Sequence, residues 1–213
     1  MNKSFNRIVV CQIVLVIAVC ACKRKDNNTT TTTAVPTPIV YKTDTSIKLQ
    51  TTKPPVINIT DTLSEKRLVL VMKDSAATSE RIGVKMFDIY RNILPALINQ
   101  QKLQITGPRI AWYKSSSPPF FFEAGVPVNK RPAKLPKNIY VKEIIADSAV
   151  VAHFYGPYSL TFQAYEALRE WMNDNKKKSA GLPYEIYVDE SFDSNGKARD
   201  PYRMRTDIVF PHK

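Results

Sequence analysis

The sequence predicts an α+β fold: tandem strand-helix-strand-strand modules with pseudo-two-fold symmetry, an antiparallel sheet carrying two helices. Three observations lead there. Apolar residues recur with helical spacing in two segments, one beginning near Thr78 and one at Ser159, and each is flanked by strands of period two. A glycine followed within two residues by a proline opens a comparable aromatic strand in each half, at Pro108 and at Pro183. Residues 65–213, about 149 in all, have room for one hydrophobic core.

Taken in order, the first module opens with the strand "RLVLVMKD" and runs into the helix near Thr78. Its residues Ile82, Phe87, Tyr90, Ile93, Leu94 and Leu97 form one apolar stripe. Pro95, which lacks an amide hydrogen, should kink this helix or end it early. The strands "TGPRIAWYK" and "FFFEAGVPV" complete the module. The second opens with the strand "AVVAHFYGPY" and the helix "SLTFQAYEALREWMND", whose Phe162, Tyr165, Leu168, Trp171 and Met172 are expected to be its buried side. The strands "GLPYEIYVDE" and "MRTDIVFP" close it.

The N-terminus carries Lys3 and Arg7 with no acid, followed by an apolar run from Ile8 to Ala21. The run falls short of the roughly 20 residues a membrane span needs and suits the core of a secretory signal peptide. It ends in "VCACKRK", which resembles the bacterial lipobox. That resemblance implies a signal peptide at 1–21 and lipidation of Cys22 as the first mature residue. Cys11, Cys20 and Cys22 are the only cysteines, so neither a disulfide nor a thiolate is available to the remaining body. The expected location is the cell envelope, lipid-anchored, at an outer membrane in preference to an inner one, because Lys23 stands where the inner-membrane retention signal has aspartate. Residues 22–64 include "DNNTTTTTAVPTP" and "LQTTKPPVINITDT" and are expected to be a disordered Thr/Pro-rich linker.

The formal net charge of +12 loses two positive residues with the signal, leaving +10. Such a charge suits nucleic acid or anionic lipid, but an envelope location and the absence of helix-turn-helix or zinc-finger spacing argue against nucleic acid as a partner. Lys176, Lys177 and Lys178 end a helix, where they complement its dipole.

One acid stands out. In "GLPYEIYVDES", alternation puts Tyr184, Ile186 and Val188 on one face and Glu185, Tyr187 and Asp189 on the other. Aligning Pro108 with Pro183 sets Trp112 opposite Tyr187 and Ile110 opposite Glu185, so a carboxylate occupies a place where its counterpart is apolar. Related strands facing each other across an aromatic cleft would form a small-molecule site.

The runs "VAHFYGPYSLTFQAYEALREWM", "GLPYEIYVDES" and "RMRTDIVFP", with "GPRIAWY" and "FFFEAGVPV" in the first half, resemble the GyrI-like small-molecule-binding domain, also called the AraC-type or bacterial transcription activator effector-binding domain. The likeness covers roughly Lys66 to His212. It implies a groove between the modules that takes up hydrophobic, often cationic, compounds, with an acid at its bottom that corresponds to Glu185. A carboxylate among aromatics favours cations, and aromatic faces add about 0.5–2 kcal/mol per favourable contact. Glu185, Tyr187, Trp112, Tyr155, Tyr158 and Ile110 are the expected ligand-binding residues, and the expected partner is a hydrophobic or cationic small molecule. The resemblance departs in one respect: a lipid anchor and linker stand where effector domains of regulators follow a DNA-binding domain.

Catalytic patterns are thin. His153 and His212 are the only histidines, without metal-site spacing, and neither a nucleophile elbow nor a phosphate loop appears. No metal, haem or other cofactor is expected. Two alternatives to simple binding remain: hydrolysis of reactive cyclopropane-type natural products in the same groove, with Glu185 as general base, and a protein–protein interaction module.

Overall fold

The computed structural model describes residues 53–192, 195 and 197–213. The expected signal peptide, the lipidation site Cys22 and the linker as far as residue 52 lie outside them. Among the described residues no helix is long and apolar enough to cross a membrane.

Eight strands form one antiparallel sheet. They are β1 Val56–Leu63, β2 Arg67–Ala76, β3 Arg109–Tyr113, β4 Phe120–Pro127, β5 Ile139–Ile144, β6 Ser148–Tyr155, β7 Tyr184–Tyr187 and β8 Arg205–Pro211. Their order is β1-β6-β8-β7-β3-β4-β2-β5. The two modules are β2-helix-β3-β4 and β6-helix-β7-β8, as the sequence predicts, and they meet where β3 pairs with β7.

The sheet is buried on both sides. In β2, Val69, Leu70 and Val71 are all fully buried. Leu70 packs with the first module's helix, whereas Val69 and Val71 join Ile110, Trp112, Val151, Tyr184 and Val209 in a separate cluster. The topology explains that second core. β5 ends the strand order and β6 lies next to its other end, yet only residues 145–147 join them. Three residues span about 10 Å, so the sheet must curl until its ends approach. Ser64 closes the curl: its hydroxyl donates to the Ile145 carbonyl at 2.8 Å and accepts from the Asp147 amide at 3.1 Å.

β1 corrects the expected boundary between linker and domain at residues 64 and 65. Its composition hides it, because every position except the half-buried Ile57 is exposed and no alternation of burial exists to be read. What holds it is the ladder to β6, which runs unbroken from Val56↔Tyr155 to Leu63↔Ser148. Threonine and isoleucine suit such a half-solvated strand.

Pro95 does not end the first helix. α1 (Ser79–Asp88) passes into a π-helical turn, Ile89–Ile93, and then into α2 (Leu94–Gln100), with the Leu94 amide donating to the Ile89 carbonyl. The wider turn accommodates the proline, which has no amide hydrogen to give. The buried stripe is Met86, Ile89, Tyr90, Leu94, Leu97 and Ile98, and Phe87 stands out of it at 58% exposure. In α3 (Thr161–Asp174), Ala164, Leu168 and Met172 are buried while Phe162 is 53% exposed. Both exposed phenylalanines were expected inside; each instead lines a cavity above the sheet.

A chain beginning at Glu65 loses β1 and uncovers Ile57's packing partners and the edge of β6. Its melting temperature is expected to fall about 5–10 °C below that of a chain beginning at Lys53, on the scale of one buried aliphatic side chain. Equal melting of the two fragments in thermal scans would return β1 to the linker.

Candidate functional site

The ladder at the module seam pairs Arg109 with Tyr187, Ile110 with Ile186 and Ala111 with Glu185. Ala111 and Glu185 therefore share the sheet face that carries the helices, and the alanine leaves room above the seam. Glu185 is only 2% exposed. Tyr165, from α3, donates its hydroxyl to Glu185 Oε1 at 3.0 Å, and Tyr187 donates to Oε2 at 2.9 Å. Tyr158, from the 3-10 turn Tyr158–Leu160, also donates to Oε2. The hydroxyl of Tyr113 lies 2.7 Å from that of Tyr158 and 2.9 Å from that of Tyr187. Behind them Tyr90 presents its edge to Tyr187, ring centroids 6.3 Å apart, with its own hydroxyl donating to the Ile110 carbonyl at 2.8 Å.

Among the described residues no lysine, arginine or histidine pairs with Glu185. Burial pushes its carboxyl above the usual carboxylate range, and the three tyrosine hydroxyls recover only part of that. Glu123 makes the contrast. It too is 2% exposed, but the ammonium groups of Lys114 and Lys142 bind its two oxygens and, against the cost of burial, hold it below the usual range. For Tyr113, Tyr158, Tyr165 and Tyr187, burial first and the Glu185 charge second push the phenols up, so all four remain hydrogen-bond donors.

Two cavities flank this cluster. One, of about 520 Å³, is lined by Ile82, Met86, Phe87, Tyr90, Tyr187 and Phe192 among others. The second, about 580 Å³, has Phe162, Tyr165, Arg169, Pro183, Glu185 and Phe210 in its walls. Tyr113 and Tyr158 belong to both. Together the cavities make a groove along the seam with Glu185 in its floor. Among the described residues no group of three His, Cys, Asp or Glu side chains is placed to hold a metal ion.

Of the expected site residues, the fold brings together Glu185, Tyr187 and Tyr158. It places Trp112, Ile110 and Tyr155 elsewhere. Trp112 and Ile110 point into the curl of the sheet, where Trp112 packs on Tyr184 at 5.7 Å and carries the Lys142 ammonium 4.0 Å over its ring. The proline alignment erred by one residue: the ladder makes equivalent positions 74 apart, so that Tyr113, and not Trp112, is the counterpart of Tyr187. A slip of one residue in a strand exchanges its faces. Tyr155, at the end of β6, pairs with Val56 and Arg205 and lines neither cavity. His153 and His212 contact Asp207 and Asp61 at 2.7 and 2.8 Å, away from the groove. The residues missed are Tyr113 and Tyr165; the corrected offset identifies the first, and the second sits on the helix side already expected to face inward.

No protein-family model and no curated protein sequence matches the chain. Solved structures do. EcmrR bound to DNA superposes with a TM-score of 0.57 at 20% identity, over 75% of this chain and 57% of that one. The chain thus spans little more than half of the full regulator. The isolated EcmrR C-terminal domain gives 0.56 at 23% identity, over 75% of this chain and 98% of the domain. SAV2435 bound to tetraphenylphosphonium is more distant, with a TM-score of 0.49 at 12% identity, over 73% of this chain and 94% of that one. The likeness to EcmrR is one of fold: the eight-stranded antiparallel sheet with its helices is the α+β, GyrI-like architecture that the sequence predicts.

The raised Glu185 carboxyl sets a pH dependence. The folded chain keeps a proton there that the unfolded chain releases, so stability is fullest below the ordinary carboxylate value and falls as pH rises toward the raised one. In melts from about pH 4 to about pH 8, the melting temperature of Glu185→Gln is expected to gain steadily on that of the wild type. A difference independent of pH would mean that the carboxylate is solvated in the fold.

Proposed function

We propose that this chain is a capture module, which binds hydrophobic small molecules of cationic or aromatic character in the groove between its two modules. The observation that carries this is Glu185: a carboxylate buried at the floor of an apolar groove with only neutral phenols as partners. A buried charge without a counter-charge is costly, and a cation arriving in the groove supplies the missing partner. Rings of Tyr90, Tyr187, Phe87 and Phe162 add cation–π and stacking contacts. Hydrolysis would need a water against Glu185, whose two oxygens already accept three hydroxyl donors, whereas capture needs only a cation over the groove floor.

The proposal includes a place. With Cys22 lipidated, the domain would stand in the cell envelope on a tether that enters the fold at Pro55. Pro55 packs against Gly156, two residues before Tyr158, so the tether would join the domain beside the groove. Contact with nucleic acid forms no part of this reading.

The test uses two ligands of nearly one shape, 10-methylacridinium, which is charged, and acridine, which is neutral at pH 8. The cation is expected to bind about tenfold or more tightly, a discounted value for one charge pair in a partly wet site. Glu185→Gln should remove the difference, and equal affinity of the wild type for both would overturn the role of Glu185. The anchor is checked separately: labelled palmitate is expected in the full-length wild type and absent from Cys22→Ser, and label retained in the variant would refute lipidation at that residue.

A further inference from the structure

Two residues, Tyr113 and Tyr158, line both cavities and stand where the two adjoin. Tyr113 is fixed on β3 in the middle of the sheet. Tyr158 differs: it stands on a single 3-10 turn and half of its surface is open to solvent. Its hydroxyl holds it in place through Glu185, Tyr113 at 2.7 Å and Tyr187 at 3.2 Å. The backbone below is pinned. Gly156 lies so close to Pro55 and Phe154 that an added Cβ would meet them at 2.7 and 3.1 Å, which leaves rotation of the Tyr158 side chain as the smallest motion that frees its hydroxyl. Such a rotation would join the chambers into one trough and vacate a hydrogen-bonding position on Glu185 Oε2.

Resting on the binding reading above, we infer that Tyr158 is a movable partition that determines which ligands the groove accepts. Closed, it admits compact ligands to one chamber at a time. Open, it admits a monocation with two flat ring systems joined by a short delocalised bridge. The first chamber offers the exposed rings of Phe87 and Phe192 as stacking surfaces, and the second offers that of Phe162. Glu185, a buried carboxylate in the wall of the second chamber that accepts the Tyr158 hydroxyl, lies where the charged bridge would pass. Such a ligand replaces the Tyr158 hydroxyl with its own positive charge.

The experiment compares a trimethine cyanine, which spans both chambers with its charge at the centre, with benzyltrimethylammonium, which fits in one. Stopped-flow fluorescence and calorimetry on the full chain read rate and affinity. For the wild type, the cyanine association rate is expected to level off with concentration, limited by opening. Tyr158→Phe keeps the ring and removes the hydroxyl latch, and should raise the cyanine association rate about tenfold, the worth of charge-assisted hydrogen bonds. Tyr158→Phe also takes a donor from Glu185 and so shifts both probes in common, but the cyanine should gain about tenfold relative to benzyltrimethylammonium in that variant. Tyr165→Phe removes another donor to Glu185 but lies outside the partition, so it should move both probes by the same factor. Equal shifts of the two probes in Tyr158→Phe, or the same cyanine gain in Tyr165→Phe, would overturn the partition and leave binding intact. Cyanine excluded from wild type and Tyr158→Phe alike, with the compact probe bound, would do the same. Failure of both probes to bind the wild type would overturn the partition together with the binding reading.

Discussion

The seam between the modules is built around one buried carboxyl group that has no counter-charge among the described residues. Glu185 lies on the central strand pair, and the tyrosines that serve it come from β3, β7, the 3-10 turn and α3. A single carboxylate thereby gathers groups from both modules, and their hydroxyls converge because no cation takes their place. The opposite sheet face shows the other solution. There Glu123 meets two lysines, whose ammonium groups supply the counter-charge that Glu185 lacks. Two glutamates with equal burial have opposite consequences, set by the partners each was given.

The duplicated topology explains the position of that charge. Antiparallel pairing of β3 with β7 puts Ala111 and Glu185 at equivalent places beside the pseudo-two-fold axis, and Tyr113 and Tyr187 one step outward. Identical residues at the inner pair would have placed two carboxylates within a few ångströms, where one is driven to hold a proton. Alanine on one side and glutamate on the other leaves a single charge and the space it needs.

Much of this was legible in the sequence, for reasons that also mark where it stops. The module order followed from periodicity, since the two helices and their flanking strands have strong apolar patterns. β1 and β5 were not seen. β1 buries almost nothing, so only its backbone ladder defines it. Glu185 was legible as an acid in an aromatic strand, and Tyr187 and Tyr158 followed from proximity and resemblance. Trp112 and Ile110 were misplaced because alignment on a proline gives a distance along the chain, whereas the side of a sheet depends on whether that distance is odd or even. Phe87 and Phe162 were assigned to the core because an apolar stripe does not distinguish packing against a sheet from lining a groove.

The π-helical turn at Ile89–Ile93 occurs in the first module, and α3 runs without one. The widened turn breaks the helical phase of the first module over the groove, so its two halves cannot present the same wall. A groove of true two-fold symmetry would hold an asymmetric molecule in two equivalent poses, an advantage of about 0.4 kcal/mol from RT ln 2. This groove gives up that degeneracy and gains a sense of direction: it distinguishes the head of a ligand from its tail.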